Sequence, residues 1–177
     1  MRRASYLSSR GGVGFTLIEL VVVICLVAIF IKVALDRLLF YQEGAEKAAM
    51  EQTVAIIRSV LQLRAAEMLL HGGERNVELL AKTNPIGWLI EPPSGYRGEF
   101  LAANVEVPRG SWYFDASDKE LVYVPNLDAH LIFVSASSKR LRFRVELDFE
   151  PAGHDDVGKH GAFEGARLAA VTPYRWF

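Results

Sequence analysis

Residues 14–31 read GFTLIELVVVICLVAIFI. Every residue from Leu20 to Ile31 is apolar, and Glu19 is the one charge in the stretch. Taken as a helix from Phe15 to Ile31, the run spans about 26 Å, close to the ~30 Å hydrocarbon core of a bilayer. Lys32 can snorkel, and Val33, Ala34 and Leu35 supply another turn. The segment is expected to cross a membrane. The residues before it, MRRASYLSSRGGVG, carry Arg2, Arg3 and Arg10 and no acid. Basic residues ahead of a span and a large domain behind it predict a cytoplasmic N-terminus and a C-terminal domain on the far side.

Working outward, the composition narrows the function classes. The 177 residues carry 20 Lys+Arg against 21 Asp+Glu, a net charge of -1, which argues against nucleic-acid binding through bulk charge. An apolar share of 51% with 23% charged residues excludes wholesale disorder. The single cysteine, Cys25, excludes an intrachain disulfide and a cysteine-based zinc site. Within an apolar run its thiol acts as a small apolar group. The mean hydropathy of +0.16 is high for a soluble domain, and the N-terminal run is the source of the excess.

Glu19 is the residue that a plain membrane segment does not explain. A charge inside an apolar span costs about 2.5–3.5 kcal/mol on insertion scales, so it calls for a cationic partner. A cut between Gly14 and Phe15 would supply one. The new amine would stand four residues before Glu19, one helical turn away on the same face and at the positive end of the helix dipole. An ordinary secretory signal would show a small-residue cleavage site after the run, but Lys32-Val33-Ala34-Leu35-Asp36 offers no such pattern. An uncleaved signal anchor accounts for the charges and the span but not for Glu19.

Gly14-Phe15-Thr16-Leu17-Ile18-Glu19, with a basic leader before it and an apolar helix after it, resembles the class III signal of type IV pilins and type II secretion pseudopilins. The resemblance covers residues 10–31. It implies cleavage after Gly14 by a prepilin peptidase, methylation of the Phe15 amine, and assembly into a filament in which Glu19 meets a neighbour's N-terminus. Two positions depart from the common pattern. Val13 precedes the glycine where a basic or polar residue is usual, and Asp36 stands where many members have a kinking proline.

Beyond the apolar run, no proline occurs before Pro85, and Gly44 is the one glycine between Ile31 and Leu70. Met50, Val54, Ile57, Leu61, Ala65 and Met68 recur at helical spacing and form an apolar stripe, with Lys47, Glu51, Arg58 and Gln62 on the other side. Glu43 and Lys47 are spaced as an i,i+4 ion pair. His71-Gly72-Gly73 ends the helix. Too few heptads follow for a coiled coil, so the stripe is expected to pack on a core.

Residues 74–110 read as a connecting segment with turns at Asn84-Pro85, Pro92-Pro93-Ser94-Gly95 and Pro108-Arg109-Gly110, and with a short helix at Glu78-Leu79-Leu80. Trp112–Asp115 and Glu120–Val124 flank a turn and predict a hairpin. His130–Ala136 and Arg140–Phe149 predict a second hairpin across Ser137-Ser138-Lys139. Leu141, Phe143, Val145, Leu147 and Phe149 alternate with Arg140, Arg142, Arg144, Glu146 and Asp148, the period of a strand with one face buried. Residues 150–165 read as a loop and Arg167–Tyr174 as a last strand. The fold expected is α+β: a long N-terminal helix, transmembrane in its first half and amphipathic in its second, packed on a small antiparallel sheet. The resemblance implies the same pilin-like arrangement.

Chemistry-bearing constellations are few. His154, Asp155, Asp156 and His160 lie in a Gly-rich loop where calcium or a transition metal could bind, but the spacing fits no established motif, and solvated loop charges are the favoured reading. Arg140, Arg142 and Arg144 share a strand face that could meet a polyanion. Glu146 and Asp148 continue that face and cancel much of its field, which favours a solvated face or a subunit contact. His71 and His130 are isolated and receive no role. No hydrolase, zincin, P-loop or dinucleotide fingerprint occurs, so neither an enzyme nor a cofactor or metal site is expected.

The organisation expected is a cleaved basic leader over 1–14, a transmembrane and assembly helix over 15–38, its amphipathic continuation over 39–71, and a periplasmic pilin-like region over 72–177. The function expected is a structural subunit of a type II secretion pseudopilus or a type IV pilus-like filament, with Gly14 and Phe15 as the cleavage and methylation site and Glu19 as the assembly residue. The resemblance leaves those two branches open. Its implied partners are the prepilin peptidase, other pilin or pseudopilin subunits, an inner-membrane assembly platform and membrane lipid, with no nucleic acid. The location expected is the bacterial inner membrane, single-pass, with the C-terminal domain periplasmic. The competing class is a signal-anchored periplasmic enzyme or binding domain that forms no filament.

Overall fold

The computed structural model describes residues 14–70, 77–101, 106–134, 139–150 and 163–177. The chain divides into two compact units, one ending at Tyr41 and the other comprising Gln42–Phe177. Helix α1, Leu17–Leu70, contributes to both. In the first unit every described residue from Gly14 onward is exposed. This part of α1 is long and apolar enough to cross a membrane, and no part of its most apolar stretch is buried.

The second unit is built on the rest of α1. Met50, Val54, Ile57, Leu61 and Ala65 are buried, and Met68 packs at the margin, so the stripe read from the sequence is the core face of the helix. Alternation along the strands supplies the opposing face: Trp112, Leu121, Tyr123, Leu141, Phe143, Val145, Ala166 and Leu168 belong to the same core. Helix α2, Glu78–Lys82, adds Val77 and Leu80 to it. A 3-10 turn at Pro85–Trp88 follows, where the Asn84 side chain accepts from the Ile86 amide at 3.0 Å.

The strands are β1 Tyr96–Phe100, β2 Ser111–Asp115, β3 Glu120–Val124, β4 Leu131–Phe133, β5 Leu141–Phe149, β6 Phe163–Ala170 and β7 Tyr174–Trp176. Five form one sheet in the order β1-β2-β3-β5-β6, and β4 pairs with β7 in a separate ribbon. The α+β class stands. The expected hairpin β2–β3 is present, with Asp115 Oδ1 accepting from the Ser117 and Asp118 amides at 3.1 and 3.4 Å to close its turn.

Three readings of the strands are corrected. The segment taken as a connection contains β1, which runs parallel to β2, so the sheet is mixed rather than purely antiparallel. Tyr-Arg-Gly-Glu-Phe shows no run of β-branched or apolar residues, and a parallel partner lies beyond a crossover rather than a tight turn. Gly95 (φ +78°) is required here, because a Cβ would stand 2.6 Å from the Gly110 carbonyl oxygen. Next, β4 and β5 form no hairpin. The nine-residue β5 lies between β3 and β6, whereas the three-residue β4 pairs with β7. Finally, the single last strand is two, β6 and β7, separated by a bend before Pro173. Strand β6 begins at Phe163, inside the expected loop. The leader residues before Gly14, His71, and the group His154, Asp155, Asp156 and His160 lie outside the described residues.

Candidate functional site

Gly14 and Phe15 lie just ahead of α1 and are exposed, Phe15 at 68%. A Cβ added at Gly14 would meet nothing within 4 Å. Among the described residues nothing therefore demands glycine at this position. Thr16 caps the helix: its Oγ1 accepts from the Glu19 amide at 3.3 Å, and its carbonyl accepts from the Leu20 amide at 3.1 Å. A threonine followed three residues later by a glutamate is the capping-box spacing, so Glu19 occupies the place where an acid meets the positive end of the helix dipole. The cap itself uses the Glu19 backbone amide, which any residue would supply, so what the acid side chain gains here is the dipole alone. Among the described residues its carboxylate makes no hydrogen bond or ion pair. Cys25 is exposed on the same apolar surface.

A second polar constellation lies on α1 in the other unit. Glu43 is 2% exposed, and three donors converge on its carboxylate. They are the His130 amide at 2.9 Å, His130 Nδ1 at 2.7 Å and Trp176 Nε1 at 3.0 Å. Burial pushes this carboxyl up. The hydrogen bonds from the His130 ring, the His130 amide and the Trp176 indole, with the charge of His130, more than offset that and hold it below the usual carboxylate range. One turn on, Glu46 accepts from the Tyr123 hydroxyl at 2.7 Å and from the Asn126 and Leu127 amides at 2.6 and 3.0 Å. Burial, then the Glu46 hydrogen bond and charge, push the Tyr123 hydroxyl well above its ordinary value. Lys47 donates to the Trp176 carbonyl at 2.7 Å and lies over the Phe177 ring, which itself stacks on His130.

Two expectations fall here. His130 is not isolated. Glu43 does not pair with Lys47, whose acidic neighbour is Glu51 at 3.9 Å. The overlooked signal was spacing. Glu43 stands seven residues before Met50, which puts it on the core face of the helix, and an acid on that face requires buried donors.

Arg142 and Arg144 of β5, and Arg140 just ahead of it, are held within the protein. Arg140 donates to the Tyr113 hydroxyl at 3.0 Å, Arg142 pairs with Glu120 at 2.9 Å and Asp118 at 3.4 Å, and Arg144 pairs with Glu120. Asp115, fully buried, lies 3.6 Å from Arg142. Burial lowers the Arg142 pKa, but the Glu120 hydrogen bond and charge, with Tyr113 and Asp115, raise it further than burial lowers it. Farther along the face Arg167 pairs with Glu146 at 3.0 Å and Asp148 at 3.6 Å. The carboxylates of the β2–β3 hairpin thus consume the field that a polyanion would need. Among the described residues no group of three or more His, Cys, Asp or Glu side chains is placed to hold a metal ion.

Comparison of the chain with protein-family models, with curated proteins and with solved structures gives no match.

Proposed function

We propose that the chain is a subunit of a pilus-like filament of the type IV pilus or type II secretion kind, made as a membrane precursor and assembled through the first half of α1. The observation that carries this reading is the hexapeptide Gly14-Phe15-Thr16-Leu17-Ile18-Glu19 at the head of an apolar helix that nothing among the described residues covers. Lipid covers such a surface before assembly and neighbouring helices cover it afterwards, so one surface serves both states. The open space at Gly14 supports the reading, because a requirement for glycine there would come from a peptidase and not from folding. Removal of 1–14 in the cytoplasm would free the Phe15 amine to meet Glu19 of a neighbouring subunit. The globular unit would then supply the filament's outer surface and its contacts with other subunits.

The test is intact-mass analysis of protein from cells with and without a prepilin peptidase. The expected product begins at Phe15, and Gly14→Val leaves the precursor uncut while the globular unit stays folded. A mature chain that keeps Arg10, or one that begins beyond Ile31, overturns the reading.

One observation favours the plainer alternative, a bare membrane anchor for a periplasmic domain. The place of Glu19 in the first turn of α1, at the positive end of the helix dipole, gives the acid a use within one chain. That use is worth about 0.3–1 kcal/mol for a charge near a helix N-terminus, and it does not account for the Gly14-Phe15 pair that precedes it.

A further inference from the structure

The ribbon β4–β7 shares no ladder with the five-stranded sheet. A two-stranded ribbon is marginal by itself, so something else must fix it. Its inward side chains, Leu131, Phe133, Tyr174 and Trp176, reach the core. Its polar hold on α1 among the described residues gathers at one end. The register pairs Leu131 with Trp176, so His130 and Phe177 lie side by side at that end, where the Phe177 amide donates to the His130 carbonyl at 3.5 Å. Glu43 and Lys47 seize both: Glu43 through His130 and Trp176, Lys47 through the Trp176 carbonyl and the Phe177 ring. Glu46 holds the Asn126 and Leu127 amides just upstream, which fixes the chain on the near side of the clasp.

We propose that the ribbon β4–β7 is a hinged flap, clasped to α1 by the Glu43 carboxylate and released when that carboxylate is protonated, while the five-stranded sheet stays on the helix. The inference stands whether or not the chain forms filaments. Its chemistry is a count of donors. Three N–H groups point at two carboxylate oxygens, and an ionised carboxylate has only acceptor sites to offer them. A proton on one oxygen removes the charge that strengthens the bonds from the His130 amide and the Trp176 indole, and it sets a donor against the His130 ring wherever Nδ1 carries its own hydrogen. The other charged groups near Glu43 are Glu46 and Lys47 on its own helix. Asp128 in the adjoining loop pairs with Arg109 and Lys139, and Arg175 of β7 alternates to the face opposite Trp176.

The sign follows from the lowered folded-state value. The clasp contributes fully above the ordinary carboxyl value of 4.5 and is lost as the pH falls through the depressed value of the folded protein. Acid therefore opens the flap, and neutral pH closes it. Opening uncovers Trp176, Leu131 and α1 from Glu43 to Lys47, a surface a second protein chain could then reach.

The experiment is hydrogen exchange read by mass spectrometry on the full chain in lipid nanodiscs, corrected for the intrinsic pH dependence of exchange. Between pH 7 and the lowest pH at which Ser111–Asp115 and Glu120–Val124 still keep their protection to within twofold, amides of Leu131–Phe133 and Tyr174–Trp176 are expected to lose at least tenfold in protection. Glu43→Gln is expected to show the open pattern already at pH 7 and no further step in acid. Trp176→Phe, which removes one donor and keeps an aromatic ring, gives a smaller loss confined to the same peptides. Equal loss of protection in β2, β3 and the ribbon would overturn the proposal by showing one cooperative unit. So would a ribbon whose protection is the same at both pH values in the wild-type protein, a measurement that needs no variant to fold.

Discussion

The two halves of α1 obey the same backbone rules and meet different surroundings. From Leu17 to Tyr41 the side chains are apolar almost all round and exposed all round. From Gln42 to Leu70 the helix buries one stripe, Glu43, Met50, Val54, Ile57, Leu61 and Ala65, while the rest of its surface, with Ile56, Leu63, Leu69 and Leu70 among it, stays exposed or half-buried. Each half contains one acid that propensity does not explain. Glu43 finds its three donors inside the chain, and Glu19 finds no side-chain partner among the described residues. The contrast teaches where to look for a partner. A stripe with a buried acid is satisfied within the fold, whereas an all-round apolar surface with an unmatched acid is satisfied by lipid and another chain, the arrangement proposed here for a filament.

The sharpest way to break that contrast is Glu19→Ala. In the filament reading the carboxylate neutralises the Phe15 amine of a neighbouring subunit during docking. Removal of an intramembrane charge leaves insertion normal or improved, and the peptidase still cuts on the other side of Phe15. An amine entering the filament core without its counter-charge costs about 3–5 kcal/mol, a loss of more than a hundredfold in assembly. Crosslinking of a subunit with engineered cysteine pairs in the helix, Cys25 first replaced, together with the yield of sheared filaments, measures it. Normal incorporation of Glu19→Ala would reject the pairing and leave Glu19 as an acid facing the helix dipole alone.

A paired substitution tests the comparison on packing. Leu61 is fully buried between the helix and the sheet, and Leu61→Ala should cost the globular unit about 2–5 kcal/mol, through lost transfer energy and the cavity left behind. Leu26 is 51% exposed, and Leu26→Ala should change the stability of that unit by less than about 0.5 kcal/mol. Denaturant unfolding followed by tryptophan fluorescence reads both, since Trp112 and Trp176 lie in the core. A large effect of Leu26→Ala on that transition would mean that the two halves do not separate energetically.

What was legible in the sequence depended on range. The helix stripe from Met50 to Met68 and the alternation of β5 were readable because the partners of each residue repeat within the same segment. Hairpin β2–β3 was readable because its turn is local. Strand β1 was not, since its pairing with β2 is parallel and its five residues show no clear period. The ribbon was misassigned because β4 takes a partner more than forty residues later in place of the adjacent β5. His130 looked idle for the same reason: its partner lies 87 residues earlier, on a helix face where Glu43 interrupts the apolar pattern. At the N-terminal site Gly14, Phe15 and Glu19 stood out through their motif, while the Thr16 cap beside them went unread.

The smallest effect sits where the two halves meet in sequence. Gly44 lies inside α1, and a Cβ there would meet nothing within 4 Å, so the fold gains nothing from glycine at that place. Glycine in a helix interior is about 0.8–1.0 kcal/mol less favourable than alanine, because the unfolded chain loses more freedom on ordering. Gly44→Ala should therefore stabilise the globular unit by ~1 kcal/mol and raise its Tm by about 2–4 °C for a chain of this length. Differential scanning calorimetry of the two proteins side by side measures it. A gain in stability with filament yield unchanged would make Gly44 neutral in assembly. A gain in stability together with a fall in yield would assign the glycine to the assembled state, as a soft point in the helix. A loss of stability would show that something outside the described residues approaches the helix at Gly44, and would end the view that this half of α1 is satisfied within its own fold.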